Sequence, residues 1–194
     1  MRVKKFLVLM TILIMTISGC TGINTISEIS NDPTLVANDF LAALKDYNLE
    51  RVDELTGGSS AFSLNALTQE KSSAEIAKKI MSKMSYELGE ATIDGDNAVV
   101  EATISVVDMQ SLIQESIKDI IDSVFANLDS PDITETDDSA FAYNIVQKSL
   151  DNNDITMTTN TIDINLHKQG NKWVVIYDEE LGNDLLGGFI NGLN

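Results

Sequence analysis

The chain contains one histidine and one cysteine, the two residue types most often used in acid/base and nucleophilic chemistry. His167 lies in an alternating stretch with Asp163 and Asn165, so the three side chains would share one face of a β-strand. A carboxylate orients a histidine base only within hydrogen-bond reach, about 3 Å. Residues four apart in a strand are about 13 Å apart, so Asp163 cannot orient His167. We therefore predict a solvent-facing histidine near a hairpin turn.

Three polar segments have compositions that occur in binding loops. Asp94–Asn97 lacks the sixth-position glycine and terminal glutamate of a calcium loop, so a hairpin turn is predicted. Gly-Gly-Ser-Ser at 57–60 lacks the lysine of a phosphate loop and is predicted to stop a helix. Asp151–Asp154 could hold a cation weakly, but a solvated loop is preferred. No Gly-x-Ser-x-Gly motif occurs, so the sequence predicts no catalytic residue, no metal site and no cofactor.

The cysteine follows a segment with the layout of a secretion signal. Arg2, Lys4 and Lys5 precede an uncharged apolar run over residues 6–17, and small residues follow it. Such an order is typical of a signal peptide. The run is too short to cross a bilayer, which needs about 20 apolar residues. We predict that residues 1–19 are a cleaved signal peptide.

The segment Ile17-Ser18-Gly19-Cys20 resembles the lipobox of bacterial lipoproteins, in which an aliphatic residue and two small residues precede an invariant cysteine. The resemblance implies that the Cys20 thiol receives a diacylglycerol and that a peptidase cuts just before it. Two palmitate-type chains, at about 0.8 kcal/mol per buried methylene, would anchor the protein stably. The alternative is an ordinary core cysteine after a buried helix, but it leaves the order and spacing of the three signals unexplained.

Cleavage before Cys20 would change the exported chain. It would leave 175 of the 194 residues, and the loss of three signal bases would lower the net charge from -17 to -20. Residues 20–31, rich in Ser, Thr, Asn and Gly, are predicted to form a lipidated tether, and residues 32–194 a single domain. Anionic lipid repels such a domain, so we expect the acyl chains to hold it at the membrane.

Composition excludes several classes of protein. Hydrophobic residues make up 43% of the chain, and there are 2 prolines, which argues against a disordered or low-complexity chain. One cysteine excludes an internal disulfide, and one histidine excludes a multi-histidine metal site. With 30 acids against 13 bases and a pI near 4.2, the chain lacks the basic face that nucleic acid requires.

Apolar spacing predicts the order of the elements. Asp32 and Pro33 favour a helix start, a second short helix ends at Gly57, and a third is predicted to begin at the capping box Ser72–Glu75. After Met84 the apolar period becomes alternating, which predicts two hairpins.

Between the two hairpins, residues 108–153 are predicted to form a helical and acidic insertion, and a helical tail covers about 179–194. The first helix of the insertion, capped by Asp108, carries an apolar stripe of Ile113, Ile117, Ile120, Ile121 and Val124. This order of elements predicts an α+β fold in which N-terminal helices pack on a curved antiparallel sheet.

Two segments of the domain resemble small secreted lipoproteins of the nuclear transport factor two-like superfamily, known from Gram-positive bacteria, whose fold is the cystatin-like cone. They are the opening helical segment Val36–Asn48 and the closing segment Gly170–Val175 with its tryptophan. The resemblance covers about residues 33–178, and the helical insertion departs from a minimal cone. It implies a cone that can serve as a cup for a ligand.

Enzymes of this superfamily place an Asp base and a Tyr or second acid inside the cup. Tyr86, Tyr143 and Tyr177 are the tyrosines available for that role. The leading hypothesis is instead a non-enzymatic, lipid-anchored domain at the extracytoplasmic face, which binds a small ligand or another envelope protein. Two alternatives remain open. One is a hydrolase or isomerase that uses pocket carboxylates and tyrosine, and the other is a structural or immunity-like surface protein with its cone filled, for example by Phe189 and Leu193.

Overall fold

The computed structural model describes residues 31–58, 71–127, 138–151 and 155–187. Within these ranges the chain forms six helices and four strands. In chain order they are α1 (Pro33–Lys45), α2 (Leu49–Leu55), α3 (Lys71–Ser82), β1 (Ser85–Asp94), β2 (Asn97–Val107), α4 (Met109–Asn127), α5 (Asp138–Asp151), β3 (Met157–Gln169), β4 (Lys172–Val175) and α6 (Glu179–Leu185).

The helix α1 begins where the sequence predicts. The Asp32 carboxylate accepts a hydrogen bond from the Thr34 N–H at 2.9 Å, and Pro33 occupies the first turn, where no intrahelical N–H is needed. The capping box predicted for α3 is wrong, because the helix already includes Lys71 and places Ser72 inside its first turn. Lysine is a better helix former than serine, which favours the earlier start.

The four strands form one antiparallel sheet in the order β1-β2-β3-β4. The central pair, β2 and β3, is in continuous register from Asn97 opposite His167 to Val107 opposite Met157. The pairing of β1 with β2 is interrupted by a bulge, where Gly89 and Glu90 together lie opposite Glu101. Such a bulge bends the strand and increases its twist.

One face of this sheet, the inner face, forms the core with α1 and α2. Side chains of β2 and β3 alternate between buried and exposed, as the alternating sequence predicts. Phe40 and Leu44 of α1 are buried against the apolar positions of the strands. The buried inner-face residues of the two central strands are Ala98, Val100, Ala102, Ile104, Val106, Ile162, Ile164 and Leu166.

The tryptophan of β4 forms a hydrogen bond that connects the start of the domain to the sheet. The Trp173 side chain is buried, and its indole N–H donates a hydrogen bond to the Asn31 carbonyl at 3.0 Å. The ammonium of Lys168 lies 5.2 Å from the centre of the indole ring, within the range of a cation–π contact. The chain segment that precedes α1 therefore enters the domain beside the β3–β4 hairpin.

The helices α4 and α5 connect β2 to β3, as predicted for a helical insertion between strand pairs. The Asp108 carboxylate accepts a hydrogen bond from the Ser111 N–H at 3.0 Å, so Asp108 caps α4 as expected. Val107, Leu112 and Leu150 form a second buried cluster beside the main core. The predicted fold class, N-terminal helices packed on an antiparallel sheet with a helical insertion, is confirmed. Among the described helices, none has both the length and the apolarity needed to cross a bilayer.

Candidate functional site

A cleft of about 450 Å³ separates the exposed, outer face of the sheet from α6. Five carboxylate side chains contribute to its lining, together with threonine and asparagine side chains and two apolar residues. The lining residues are Glu101, Thr161, Ile162, Asp163, Asn165, Asp178, Glu180, Leu181 and Asp184. The cleft is thus a polar cavity with a strong excess of negative charge.

The sheet contributes one wall of the cleft through the register of β2 and β3. Glu101 lies directly opposite Asp163, and both side chains are exposed on the outer face because their neighbours along each strand fill the core. Like charges in directly opposed positions destabilise a sheet. The bulge in β1 lies beside Glu101, so the backbone irregularity of the sheet also occurs at this wall.

The helix α6 contributes the other wall. The Asp178 carboxylate accepts a hydrogen bond from the Leu181 N–H at 2.9 Å and so caps the helix. Leu181 and Leu185 are buried, which fixes the rotation of α6 and leaves Glu180 and Asp184 lining the cleft. Because β4 pairs with β3 only from Leu166 to Gln169, α6 instead of a strand lies along the earlier part of β3.

The electrostatics of the cleft disfavour further negative charge. Burial raises the pKa of Asp184 above its ordinary value, and the nearby Asp178 carboxylate raises it further. Both causes disfavour the ionised form of Asp184, and a cation placed between Asp178 and Asp184 would stabilise that form. The cleft can therefore bind a positively charged group and orient it with the uncharged Thr161 and Asn165 side chains.

The tyrosines singled out in the sequence lie apart from one another. The Tyr86 hydroxyl lies 3.3 Å from the Asn38 carbonyl, and the Tyr143 hydroxyl donates to Glu75 at 2.7 Å. Burial and the Asp178 charge raise the pKa of Tyr177, whose hydroxyl packs against Gly182 so closely that a β-carbon there would lie 2.5 Å away. None of the three tyrosines lines the cleft.

The other candidate residues have structural roles where they are described. The His167 Nδ1 atom lies 3.1 Å from the side-chain oxygen of Asn97, the residue opposite it on β2. Residues 94–97 form the predicted hairpin turn, with Gly95 at a φ of 59°. Asp151 forms an ion pair with Lys79 at 2.6 Å.

Gly57 and Gly58 follow α2 with φ values of 69° and 71°, as expected for a helix stop. The lipobox residues Ile17, Ser18, Gly19 and Cys20 lie outside the described residues, as do 59–60, residues 128–137 of the predicted insertion, 152–154 and the part of the predicted tail from 188 onward.

Sequence reasoning missed most of the acidic cleft. The alternation of buried and exposed positions along both central strands places acids at outward positions, and this was a usable signal. Four of the five cleft acids were nevertheless not predicted: Glu101, Asp178, Glu180 and Asp184. The helical acids could not be assigned to the cleft, because nothing in their spacing shows that α6 lies against β3.

The raised pKa of Asp184 predicts how the stability of the folded chain depends on pH. A carboxyl whose pKa is higher in the folded chain contributes stability below its ordinary value of 3.8 and loses that contribution as pH rises through the folded-state value. The substitution Asp184→Asn should therefore stabilise the protein at pH 7 by on the order of 0.5 kcal/mol, or roughly 1–2 °C in Tm, and have no such effect near pH 3.

Thermal unfolding followed by circular dichroism at both pH values measures this difference. Asp53→Asn, which removes an equal charge from an exposed position on α2, is the matched control. An equal gain in both variants, or a loss of stability in Asp184→Asn at pH 7, would contradict the assignment.

Comparison with known proteins gives few relatives. No curated protein sequence matches the chain. Among solved structures, the chain is similar to the crystal structure of a putative lipoprotein, ycdA, from Bacillus subtilis subsp. subtilis str. 168, with 18% sequence identity and a TM-score of 0.46. The match covers 79% of this chain and 46% of the Bacillus chain, so this chain spans under half of that protein's length.

A family model matches residues 30–190. The matched range contains all ten described elements and every residue that lines the cleft. It leaves out residues 1–29, which include the predicted signal peptide and most of the predicted tether. The chain therefore belongs to the family described as a domain of unknown function, DUF5105.

Proposed function

We propose that this protein is a lipid-anchored domain at the extracytoplasmic face of the cell membrane, and that it binds a small cationic ligand without catalysing a reaction. The observation that carries the binding proposal is the cleft of about 450 Å³ between the outer sheet face and α6. Its volume lies within the range of small-molecule sites, roughly 300–1,000 Å³. Its five carboxylates determine the sign of the ligand's charge.

The anchoring proposal rests on the N-terminal sequence. Basic residues, an apolar run and the lipobox-like Ile17-Ser18-Gly19-Cys20 occur in the order that a lipoprotein signal requires. The hydrogen bond from Trp173 to Asn31 supports the proposal from the domain side, because it fixes the point where a tether over residues 20–31 would enter. In this proposal the β3–β4 hairpin is the part of the domain nearest to the tether.

The chemistry of the lining favours an organic cation over a metal ion. Across the described ranges, no group of three or more His, Cys, Asp or Glu residues is arranged so that it could hold a metal ion. The carboxylates are instead distributed over two walls, with Thr161 and Asn165 among them. An amine or guanidinium with several N–H donors would match this spread of oxygen acceptors.

The position of the cleft bears on the superfamily resemblance and on the structural alternative. A cystatin-like cone would bind its ligand on the inner face, but Phe40 and Leu44 of α1 fill that face beside the buried strand residues. The outer cleft is therefore the site that we propose. Whether Phe189 and Leu193 fill part of the cone stays a prediction, since both lie outside the described residues.

One observation favours an enzyme as the second candidate. A carboxyl group with a raised pKa, Asp184, lines the cleft, and such a group can act as a general acid or base. The isomerase or hydrolase hypothesis also needs a tyrosine hydroxyl in the cleft, and Tyr177, the tyrosine next in sequence to a cleft residue, is not among the residues that line it. A binding role requires no such partner and is the function that we propose.

The anchor predicts a direct effect of the single cysteine. In the full chain produced in bacterial cells, Cys20→Ala should abolish incorporation of a fatty-acid analogue and leave the precursor uncut or released from the membrane. The physical reason is that no other thiol can carry the diacylglycerol. Labelling, followed by membrane fractionation, measures both effects.

Ser18→Ala is the matched control, because alanine keeps the small side chain that the motif requires. This variant should be labelled and fractionated like the unchanged chain. Fatty-acid labelling that persists in Cys20→Ala would contradict the lipid-anchor proposal.

The cleft predicts a charge-specific binding site. Calorimetric titration with spermidine as the amine probe, at about 0.15 M salt to screen weak surface contacts, should show saturable binding. Glu101→Gln combined with Asp163→Asn should weaken the affinity at least tenfold, because it removes the two carboxylates of the sheet wall. The same titration with Ca²⁺ alone tests the metal alternative.

Glu50→Gln combined with Asp53→Asn removes the same charge from exposed positions on α2 and should leave binding unchanged. Equal weakening by the two double variants would show attraction to net charge and not to the cleft. No binding of spermidine, or tighter binding of Ca²⁺ at the same carboxylates, would contradict the organic-cation proposal.

A further inference from the structure

The acids of the cleft form two pairs, one on each wall. On the sheet wall, Glu101 of β2 lies directly opposite Asp163 of β3, so the two side chains share the outer face. On the other wall, Glu180 and Asp184 are four residues apart in α6, a spacing that places both on one side of a helix. The fifth acid, Asp178, already caps α6. The first two acids are here called the sheet pair, and the next two the helix pair.

Neither pair is neutralised by a base of the described ranges. The ion pairs found there join Arg51, Lys79 and Lys118 to acids that lie outside the cleft. Among the described residues that line the cleft, none is a lysine or an arginine. Carboxylates form their strongest hydrogen bonds with ionised donors. The two pairs therefore offer a ligand two separate positions for a positive charge.

The two apolar residues of the lining also come one from each wall. Ile162 precedes Asp163 in β3, and Leu181 follows Glu180 in α6. Both side chains are only 5% exposed, so they lie at the floor of the cleft and not at its rim. Methylene groups that pack against this floor are removed from water, which favours binding. An aliphatic linker between two ammonium groups therefore matches the lining.

The described lining is unsuited to a ligand that carries a carboxylate. Its uncharged side-chain donors are Thr161 and Asn165. Both share the outer face of β3 with Asp163, which lies two residues from each of them, or about 7 Å along the strand. A ligand carboxylate bound by either donor would thus lie near a fixed negative charge, at a distance where like charges still repel each other.

We propose that the cleft selects aliphatic diamines and polyamines, with one ammonium on the sheet pair and a second on the helix pair, and that it rejects amines that carry a carboxylate, such as free amino acids. An ammonium has three N–H donors, enough to reach both carboxylates of one pair. This inference rests on the proposed function and specifies the ligand class of the same cleft.

Three amines with the same carbon chain test this selection by calorimetric titration of the full chain in a nonionic detergent, at about 0.15 M salt. Pentylamine carries one ammonium, cadaverine carries one at each end of the chain, and free lysine is cadaverine with a carboxylate added. Pentylamine and lysine have the same net charge, so attraction to net charge alone predicts equal affinities for these two. We expect cadaverine to bind at least tenfold more tightly than pentylamine, and pentylamine at least threefold more tightly than lysine.

Two variants assign the preferences to particular side chains. Glu180→Gln combined with Asp184→Asn removes the helix pair and should reduce the advantage of cadaverine over pentylamine to about twofold, because only one ammonium can then bind a pair. Asp163→Asn removes the charge between the two uncharged donors and should bring lysine to within about twofold of pentylamine. Glu50→Gln combined with Asp53→Asn, at exposed positions of α2, should leave both ratios unchanged.

The outcomes separate this inference from the function on which it rests. If spermidine binds the unchanged chain but lysine binds as tightly as pentylamine, or cadaverine binds no more tightly than pentylamine, the selection is overturned and cation binding stands. An unchanged advantage of cadaverine in the helix-pair variant would also overturn it, because the second ammonium would then not bind α6. If neither spermidine nor any of the three amines binds, the proposed function and this inference fail together.

Discussion

The pairing of β2 with β3 is the constraint on which the rest of the structure depends. Successive side chains of a strand point to opposite faces, so the register that opposes Ala98 with Leu166 and Val100 with Ile164 assigns every side chain of both strands to one face. A slip by one residue would place those apolar side chains in water. Burial of the inner face against α1 thus fixes the position of the outer face as well.

The acidic cleft is a consequence of that register. With Val100 and Ile164 inside, Glu101 and Asp163 must lie together outside, although two like charges in opposed positions cost stability. The cost is compatible with folding because both side chains reach solvent, and it would be offset by a bound cation. Asp178 and Asp184 add to the negative charge of the cleft from the side of α6. This helix lies along the part of β3 that β4 does not reach.

How far the sequence predicts this structure depends on the range of each interaction. Local signals were sufficient for the cap at Asp32, the turn at Gly95 and the alternating strands, since each is set by neighbouring residues. Contacts distant in sequence were not predictable: the packing of α6 against β3 forms most of the candidate site. The apolar spacing of α4 predicted a helix but not which face is covered, because spacing defines a stripe and not its partner.

The most direct test of this account is a disulfide across the central pair, in a Cys20→Ser background that removes the native thiol. Opposed residues in an antiparallel pair have Cα atoms about 4.5–5.5 Å apart, which suits a disulfide, whereas diagonal neighbours on the same face are too distant. Under mild oxidation, Glu101→Cys with Asp163→Cys should form the bond, and Glu101→Cys with Asn165→Cys should not. Equal or preferred bonding in the second pair would show a register shifted by two residues and contradict the pairing of Glu101 with Asp163 that forms the sheet wall of the cleft.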